Sequence, residues 1–302
     1  MIGIDIGGAN TKIVDGDEVI IRYCPLWKEA PITEILSEFD GDAAVVMSGE
    51  LADCFYSKTE GISFIVNAVL EALPEARFYG TDGRFHTGPV PELAAANWLA
   101  SADLLREAYP GSVLIDFGST TTDIIPLSPF EELLGQTDLT RLRKGYLVYC
   151  GMLRTPVASL LRSVIIDGEE TPLSTEYFAS AGDAHLVLGH ITPGEYTVPT
   201  PDGKEATRDL SLARLARSAC ADLNEIGEAG AVAIAHAFWT AERSLIEESL
   251  KRIGKRPLLA GGIGSRLLRS TFGGSDLFDE LGHFADALPA YAVREVAERN
   301  GI

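Results

Sequence analysis

Two short segments of this chain put an aspartate at the end of an apolar run and follow it with glycine and hydroxyl residues. The first is DIGGANTK, residues 5–12. Asp5 closes an apolar strand, Gly7 and Gly8 let the backbone turn sharply with its N–H groups inward, Thr11 offers a hydroxyl and Lys12 a positive charge. Asn10 lies inside the same turn. A carboxylate so placed can hold Mg²⁺ directly or through water. A tight β-turn with Lys12 in solvent accounts for the same residues. The second segment is DFGSTTTD, residues 116–123, where Gly118 precedes four consecutive hydroxyl residues, Ser119, Thr120, Thr121 and Thr122. Such a turn can donate many hydrogen bonds to an anion.

The two segments are copies of one pattern. Ile4, Asp5, Gly7, Thr11 and Ile13 fall on Ile115, Asp116, Gly118, Thr122 and Ile124 at a constant offset of 111 residues. An internal repeat of this kind implies two similar lobes. Recurrence also favours a phosphate-binding role for both turns over two independent polar hairpins. A third glycine cluster, Gly261, Gly262 and Gly264 ahead of Ser265, follows an apolar run and precedes a helical pattern. It suits close backbone approach to a ring or phosphate, or a helix entry with Ser265 as N-cap. Glu50 and Asp53 follow another apolar run, where ligand-facing residues of α/β folds often sit; Asp53 would serve equally as an N-cap. Arg154 can bind a carboxylate or phosphate bidentately or make a surface ion pair. Trp98 reads as core.

The elements that must carry these residues follow from periodicity. Residues 1–14 read as strand, turn, strand, and Asp15-Gly16-Asp17 turns into a third strand. Residues 31–39 read as a short helix. The continuous apolar run 43–47 predicts a strand buried on both faces, 61–73 a helix, 77–79 a short strand, and 91–109 a helix ending before Pro110-Gly111. The second half repeats a strand–turn–strand over 112–127 and adds a strand at 145–150. It continues with turn-rich insertions, helical spacing over 210–227 and 229–253, a strand at 257–260, a helix near Arg266 and a terminal helix within 284–300. The expected architecture is α/β: one lobe over 1–111, completed by the terminal helix 284–302, and a second over 112–283 carrying the insertions.

Composition narrows the chemistry. The chain has 302 residues, 46% hydrophobic and 23% charged, with a net charge of −19. Such a field repels nucleic acid and anionic lipid, and equally a phosphorylated substrate, so a phosphate site must be made locally positive by N–H groups, helix ends or a cation. The four cysteines form no CxxC pair, and His185 and His190 lack the i, i+4 spacing of helical metal ligands. No basic leader or long apolar span is visible, so a cytoplasmic protein without membrane association is expected. Self-association is left open.

The two aspartate turns resemble the phosphate motifs of the actin, hsp70 and sugar-kinase superfamily, and the loop 261–265 resembles its adenosine motif. That resemblance implies a ribonuclease H-like fold with duplicated lobes and an interdomain cleft. The set MSGELADCF (47–55), AAANWLAS (94–101), DFGSTTTDIIPL (116–127), YCGMLRTPV (149–157) and STEYFASAGDAHLVLG (174–189) is similar, more specifically, to hydantoinase/oxoprolinase-related proteins linked to tetrahydromethanopterin-dependent one-carbon metabolism.

The second resemblance implies a transferase of methanofuran biosynthesis. An aminomethyl-furan carrying a CH₂-diphosphate would condense with the phenol of γ-glutamyltyramine, releasing diphosphate. The absence of a dimetal histidine cluster argues against cyclic-amide hydrolysis. In that reading Asp5 and Asp116 position Mg²⁺, the two turns hold phosphoryl oxygens, Asp123 or Glu50 takes the phenol proton, and Arg154 receives the glutamyl carboxylate. Two other functions share the same motifs: an ATP-dependent small-molecule kinase and a nucleotide-gated interaction protein. ATP is therefore compatible with the chain but not required by the condensation.

Overall fold

The computed structural model describes residues 1–28 and 30–302 and divides into two compact units. The first comprises 1–114, 125–143 and 277–302; the second comprises 115–124 and 144–276.

The first unit is built on a six-stranded sheet of β1 (Ile2–Ile6), β2 (Asn10–Asp15), β3 (Glu18–Tyr23), β4 (Ala43–Met47), β5 (Arg77–Tyr79) and β6 (Phe85–His86), in the order β3-β2-β1-β4-β5-β6. β1 and β2 pair antiparallel with Ile4 opposite Ile13, and β1 and β4 pair parallel with Ile4 opposite Val45. Every residue of β1 and β4 is buried. That is why β4 reads as an unbroken apolar run and β1 is apolar except for Asp5: central strands covered on two faces have no polar side. Gly16, at φ 54°, supplies the left-handed residue that the tight β2–β3 turn needs.

Helices α1 (Ile32–Leu36), α2 (Lys58–Ala72) and α3 (Asn97–Ala108) follow. The expected single helix over 91–109 is broken: a 3₁₀ turn occupies Pro91–Leu93, and Ala95 takes a left-handed φ of 47° before α3 begins. The α2 N-cap is Ser57, whose hydroxyl accepts the Glu60 N–H, and not Asp53.

Strands β7 (Val113–Phe117) and β8 (Thr122–Pro126) open the second sheet, and α4 (Asp138–Lys144) lies mainly in the first unit. Then come β9 (Leu147–Val148), α5 (Val157–Leu160), a hairpin of β10 (Ser163–Ile166) and β11 (Glu169–Pro172), α6 (Ala181–Val187), α7 (Arg208–Ser218), α8 (Leu223–Ile253), β12 (Leu258–Gly261), α9 (Ser265–Phe272) and β13 (Ser275–Asp276). The second sheet runs β13-β12-β7-β8-β9. Numbered by appearance, that is the 3-2-1-4-5 order of β3-β2-β1-β4-β5. The repeat seen at the level of two motifs therefore extends to whole sheets.

The helices of the second unit enclose their own core, with Phe238, Ile234, Leu215 and Ala184 fully buried. An ion pair lies inside it. Asp183 accepts from Arg214 Nε at 2.7 Å, Ser211 Oγ at 2.9 Å and the Ser180 N–H at 3.0 Å. α7 ends at Ser218 and α8 starts from an Asp222 capping box, so the expected stretch 210–227 is divided, while the interruption at Gly227, φ 64°, falls where the second expected stretch, 229–253, begins.

The chain ends with α10 (Leu277–Leu281) and α11 (Leu288–Arg299), and α11 packs on β1, β4 and α3 in the first unit. Gly3 makes that approach possible, because a Cβ there would collide with the Ala290 carbonyl and sit 2.9 Å from Arg294 Cβ. No helix among the described residues is long and apolar enough to cross a membrane. Gly3→Ala is expected to lower the unfolding free energy by about 1–3 kcal/mol, the usual cost of overpacking, which urea denaturation measures directly.

Candidate functional site

Each aspartate segment forms the hairpin that the repeat predicts, and both are closed identically. In the first unit the Gly7 N–H donates to Asn10 O at 3.0 Å; in the second the Gly118 N–H donates to Thr121 O at 3.0 Å.

What holds each turn comes from elsewhere in its own unit. The chain leaving β3 bonds back to the first turn, Cys24 N–H to Ala9 O at 2.9 Å and Leu26 N–H to Gly8 O at 3.0 Å. The chain leaving β9 does the same to the second turn. Met152 N–H reaches Gly118 O, and both Leu153 and Arg154 N–H reach Ser119 O, all at 3.0 Å. A second brace follows the fourth strand of each sheet. Ser48 and Gly49 N–H donate to Ile6 O at 2.9 and 3.1 Å, and Gly264 N–H donates to Phe117 O at 3.0 Å.

Glycine is required where these braces touch. A Cβ on Gly151 would lie 2.6 Å from Thr120 C, and one on Gly262, itself at φ 73°, would lie 2.6 Å from Phe117 O and press on the Asp116 carboxylate. Gly262 and Gly264 of this cluster pack on the β7 end, where a Cβ on Gly264 would collide with the Phe117 ring. Ser265 is the first residue of α9 and its N-cap position belongs to Gly264.

With the carbonyls at 118 and 119 tied back, the N–H groups of Ser119, Thr120 and Thr121 take no acceptor among the described residues. The three side chains are half-buried beside them, and Thr122 is buried, its hydroxyl donating to Cys150 O at 2.7 Å. The result is a run of N–H and hydroxyl donors next to Asp116, an arrangement suited to a polyanion. Thr11 is the buried counterpart of Thr122 in the first unit, where Asp5 is buried and Asn10 exposed. Lys12 does not join its turn: Nζ donates to the Asp286 carbonyl at 2.7 Å, since β2 carries it alongside the C-terminal segment.

The remaining expected residues separate. Asp123 is half-buried on β8, opposite Leu147. Arg154 is half-buried, fixed through its own N–H to Ser119, and no carboxylate pairs with it among the described residues; its charge reaches the Tyr177 phenol. Glu50 is buried, with Lys58 Nζ 3.6 Å from Oε1, and burial raises its carboxyl above the usual range despite that lysine. Asp53 is exposed.

A buried polar network escaped the sequence reading. Glu242, on α8, accepts from the Cys150 thiol at 3.0 Å and lies 2.7 Å from His185 Nε2, while His185 Nδ1 is 2.9 Å from His190 Nδ1. Burial and the neighbouring His185 hold His190 down at about 4, and burial, with the Glu242 charge, pushes the Cys150 thiol far up. Cys150 begins the strap that braces the second turn, so this network anchors the strap to the helical layer. The only signal in the sequence was an acidic residue among the apolar positions of a long helix.

No group of three His, Cys, Asp or Glu side chains among the described residues can hold a metal ion by itself. A Mg²⁺ site of one or two carboxylates completed by phosphate oxygens needs no such group, and the Asp116 surroundings fit that kind of site.

Duplicated 3-2-1-4-5 sheets, each with a braced aspartate turn after its first strand, place the protein in the actin and sugar-kinase class of α/β folds. Residues 42–274 match the hydantoinase/oxoprolinase family, and the chain belongs to it. It is 37% identical over 288 residues to a protein of Methanocaldococcus jannaschii named (4-{4-[2-(gamma-L-glutamylamino)ethyl]phenoxymethyl}furan-2-yl)methanamine synthase, covering 89% of this chain and 87% of that protein. It is 38% identical over 161 residues to the protein of that name from Methanococcus vannielii, covering 52% of this chain and 72% of that one. Among solved structures it is similar to nucleotide-free acetone carboxylase, with 12% identity, a TM-score of 0.46 and coverage of 94% of this chain and 51% of that one. It is also similar to an archaeal actin homolog, with 14% identity, a TM-score of 0.44 and 99% of both chains covered.

Glu242→Ala should cost about 3–5 kcal/mol in urea unfolding, because it strands a buried histidine and a thiol. The Glu242→Leu/His185→Leu double variant should recover much of that loss.

Proposed function

We propose that this protein is an aryl-ether synthase of methanofuran biosynthesis. It joins the CH₂ of an aminomethyl-furan to the phenol of γ-glutamyltyramine. The product named for the two methanogen relatives contains that phenoxymethyl bond. The observation that carries the chemistry is the braced second turn, with three N–H groups lacking an acceptor beside Asp116.

The balanced step breaks the bond between the furan CH₂ and a diphosphate oxygen and forms a bond from that CH₂ to the phenol oxygen. The phenol proton is released, and the bonding pair leaves with diphosphate. As the C–O bond lengthens, the electron-rich furan carries positive charge on the CH₂. The N–H groups of residues 119–121 and their hydroxyls bind the departing phosphoryl oxygens, where negative charge grows. Asp116 would hold a Mg²⁺ that neutralises diphosphate when bound. The phenol has an ordinary pKa of about 10, so a carboxylate base helps at neutral pH. Asp123, next to the turn in sequence, is assigned that role. Arg154 offers an unpaired guanidinium for the acceptor's carboxylate.

An ATP-dependent kinase would use the same motifs but must consume a γ-phosphate. Ether formation from the furan diphosphate and γ-glutamyltyramine is expected with Mg²⁺ alone, at a rate indifferent to ATP. A strict ATP requirement would favour the kinase. Asp116→Asn should reduce kcat/KM by on the order of 10²-fold, and near-normal turnover would remove Asp116 from the metal. Asp123→Ala should lose about 10²-fold at pH 7. Its deficit should shrink as pH rises toward the phenol pKa, where the nucleophile ionises unaided.

A further inference from the structure

The first unit holds a second concentration of buried polar groups, away from its turn. Glu50 is 1% exposed, and its Oε2 is buried without a hydrogen-bond partner. The rest of the residue is fixed. Gly61 packs so closely on its backbone that a Cβ there would collide, and Lys58 and the Ala95 N–H engage the carboxylate. Ala95 is held at a left-handed φ of 47°, a conformation that costs a non-glycine residue free energy and recurs at ligand sites.

Three residues beyond, Trp98 is 3% exposed and its Nε1 is likewise buried without a partner. The Arg141 guanidinium covers the indole at 4.2 Å and is held by Asp138 at 3.1 Å, and the Asp138 charge is felt at Glu50. These contacts link Glu50, Ala95, Trp98, Asp138 and Arg141 into one neighbourhood. One residue after Glu50 the chain reaches the surface, with Leu51 62% exposed.

A buried acceptor and a buried donor left unsatisfied together are costly unless a ligand or water completes them. Their polarity specifies the ligand. Glu50 Oε2 takes an N–H, favourably from a cation, and Trp98 Nε1 can only donate.

We infer that Glu50 and Trp98 recognise a primary ammonium that carries a hydrogen-bond acceptor a few bonds away. The ammonium donates to Glu50 Oε2 and the acceptor receives the Trp98 N–H. The inference rests on the ether-synthase reading for its choice of ligand. Under that reading two substrate groups have this chemistry: the aminomethyl beside the furan oxygen, and the α-ammonium beside the α-carboxylate of the γ-glutamyl end. Glu50 is then a substrate-binding residue and not the base.

Calorimetric titration of the full chain with furfurylamine, neutral furfuryl alcohol and L-glutamine tests this. One of the two ammonium probes should bind at least about 10-fold more tightly than the alcohol, the worth of one hydrogen bond to a charged group. Furfurylamine identifies the furan donor as the source, and glutamine identifies the acceptor. Glu50→Gln should abolish the preference, and Trp98→Phe should weaken binding of the favoured probe. Apo Glu50→Gln should also melt no lower than the native chain. The native-state pKa of Glu50 is raised, so its ionised form opposes folding at neutral pH, and the neutral amide removes that penalty.

No ammonium preference in the native chain, the result if an ordered water alone fills the site, overturns the inference. So does a preference that survives Glu50→Gln. Ammonium binding without ether formation would instead overturn the synthase reading and leave this site standing. Ether formation with unchanged KM in Glu50→Gln would do the reverse.

Discussion

The phosphate-binding role proposed for this protein depends on where the carbonyl oxygens of two four-residue turns are sent. A peptide turn has as many acceptors as donors, and an anion is drawn to it only if the acceptors are kept away. Here the strap after the third strand takes the carbonyls at 8 and 9 in one unit and at 118 and 119 in the other. The brace after the fourth strand takes the carbonyl that ends the first strand, Ile6 or Phe117. What remains of the second turn includes three N–H groups with no acceptor among the described residues. In a chain of net charge −19 this is the physical route by which the proposed phosphate site would work, since the overall field opposes one.

The braces explain features that otherwise look unrelated. Gly49, Gly151, Gly262 and Gly264 all sit where one backbone segment presses on a turn or on the strand end beneath it. Cys150 joins the strap to Glu242 on the long helix α8, so the second turn is secured through a side chain as well as through its neighbours. Among the described residues the first unit has no equivalent of the histidine pair at 185 and 190. Its C-terminal helix instead closes directly over β1, and Lys12 is drawn to the Asp286 carbonyl in the same region. Duplication preserved the turn and its two straps, while each unit found its own way to stabilise them.

Some of this was legible without coordinates because it depends on local order. The constant spacing of Asp5 and Asp116 exposed the duplication, and glycine followed by hydroxyl residues marked the turns. The unbroken apolar run at 43–47 marked a strand covered on both faces, since burial on two sides leaves no alternation to read. Five separate segments resembled one family, and the match over residues 42–274 agrees with that family.

Other features have no local signature. Periodicity cannot show that Ala95 breaks the expected helix at 91–109, because its left-handed backbone is imposed by its surroundings. Nor can it place Lys12 against a carbonyl 274 residues away, or bring Glu242 to a cysteine 92 residues before it. By itself the sequence determined that two aspartate turns exist and that they are copies. Only the tertiary structure decided which of their polar atoms are consumed and which are left over, because a hydrogen bond is settled by distance in space and not by separation along the chain.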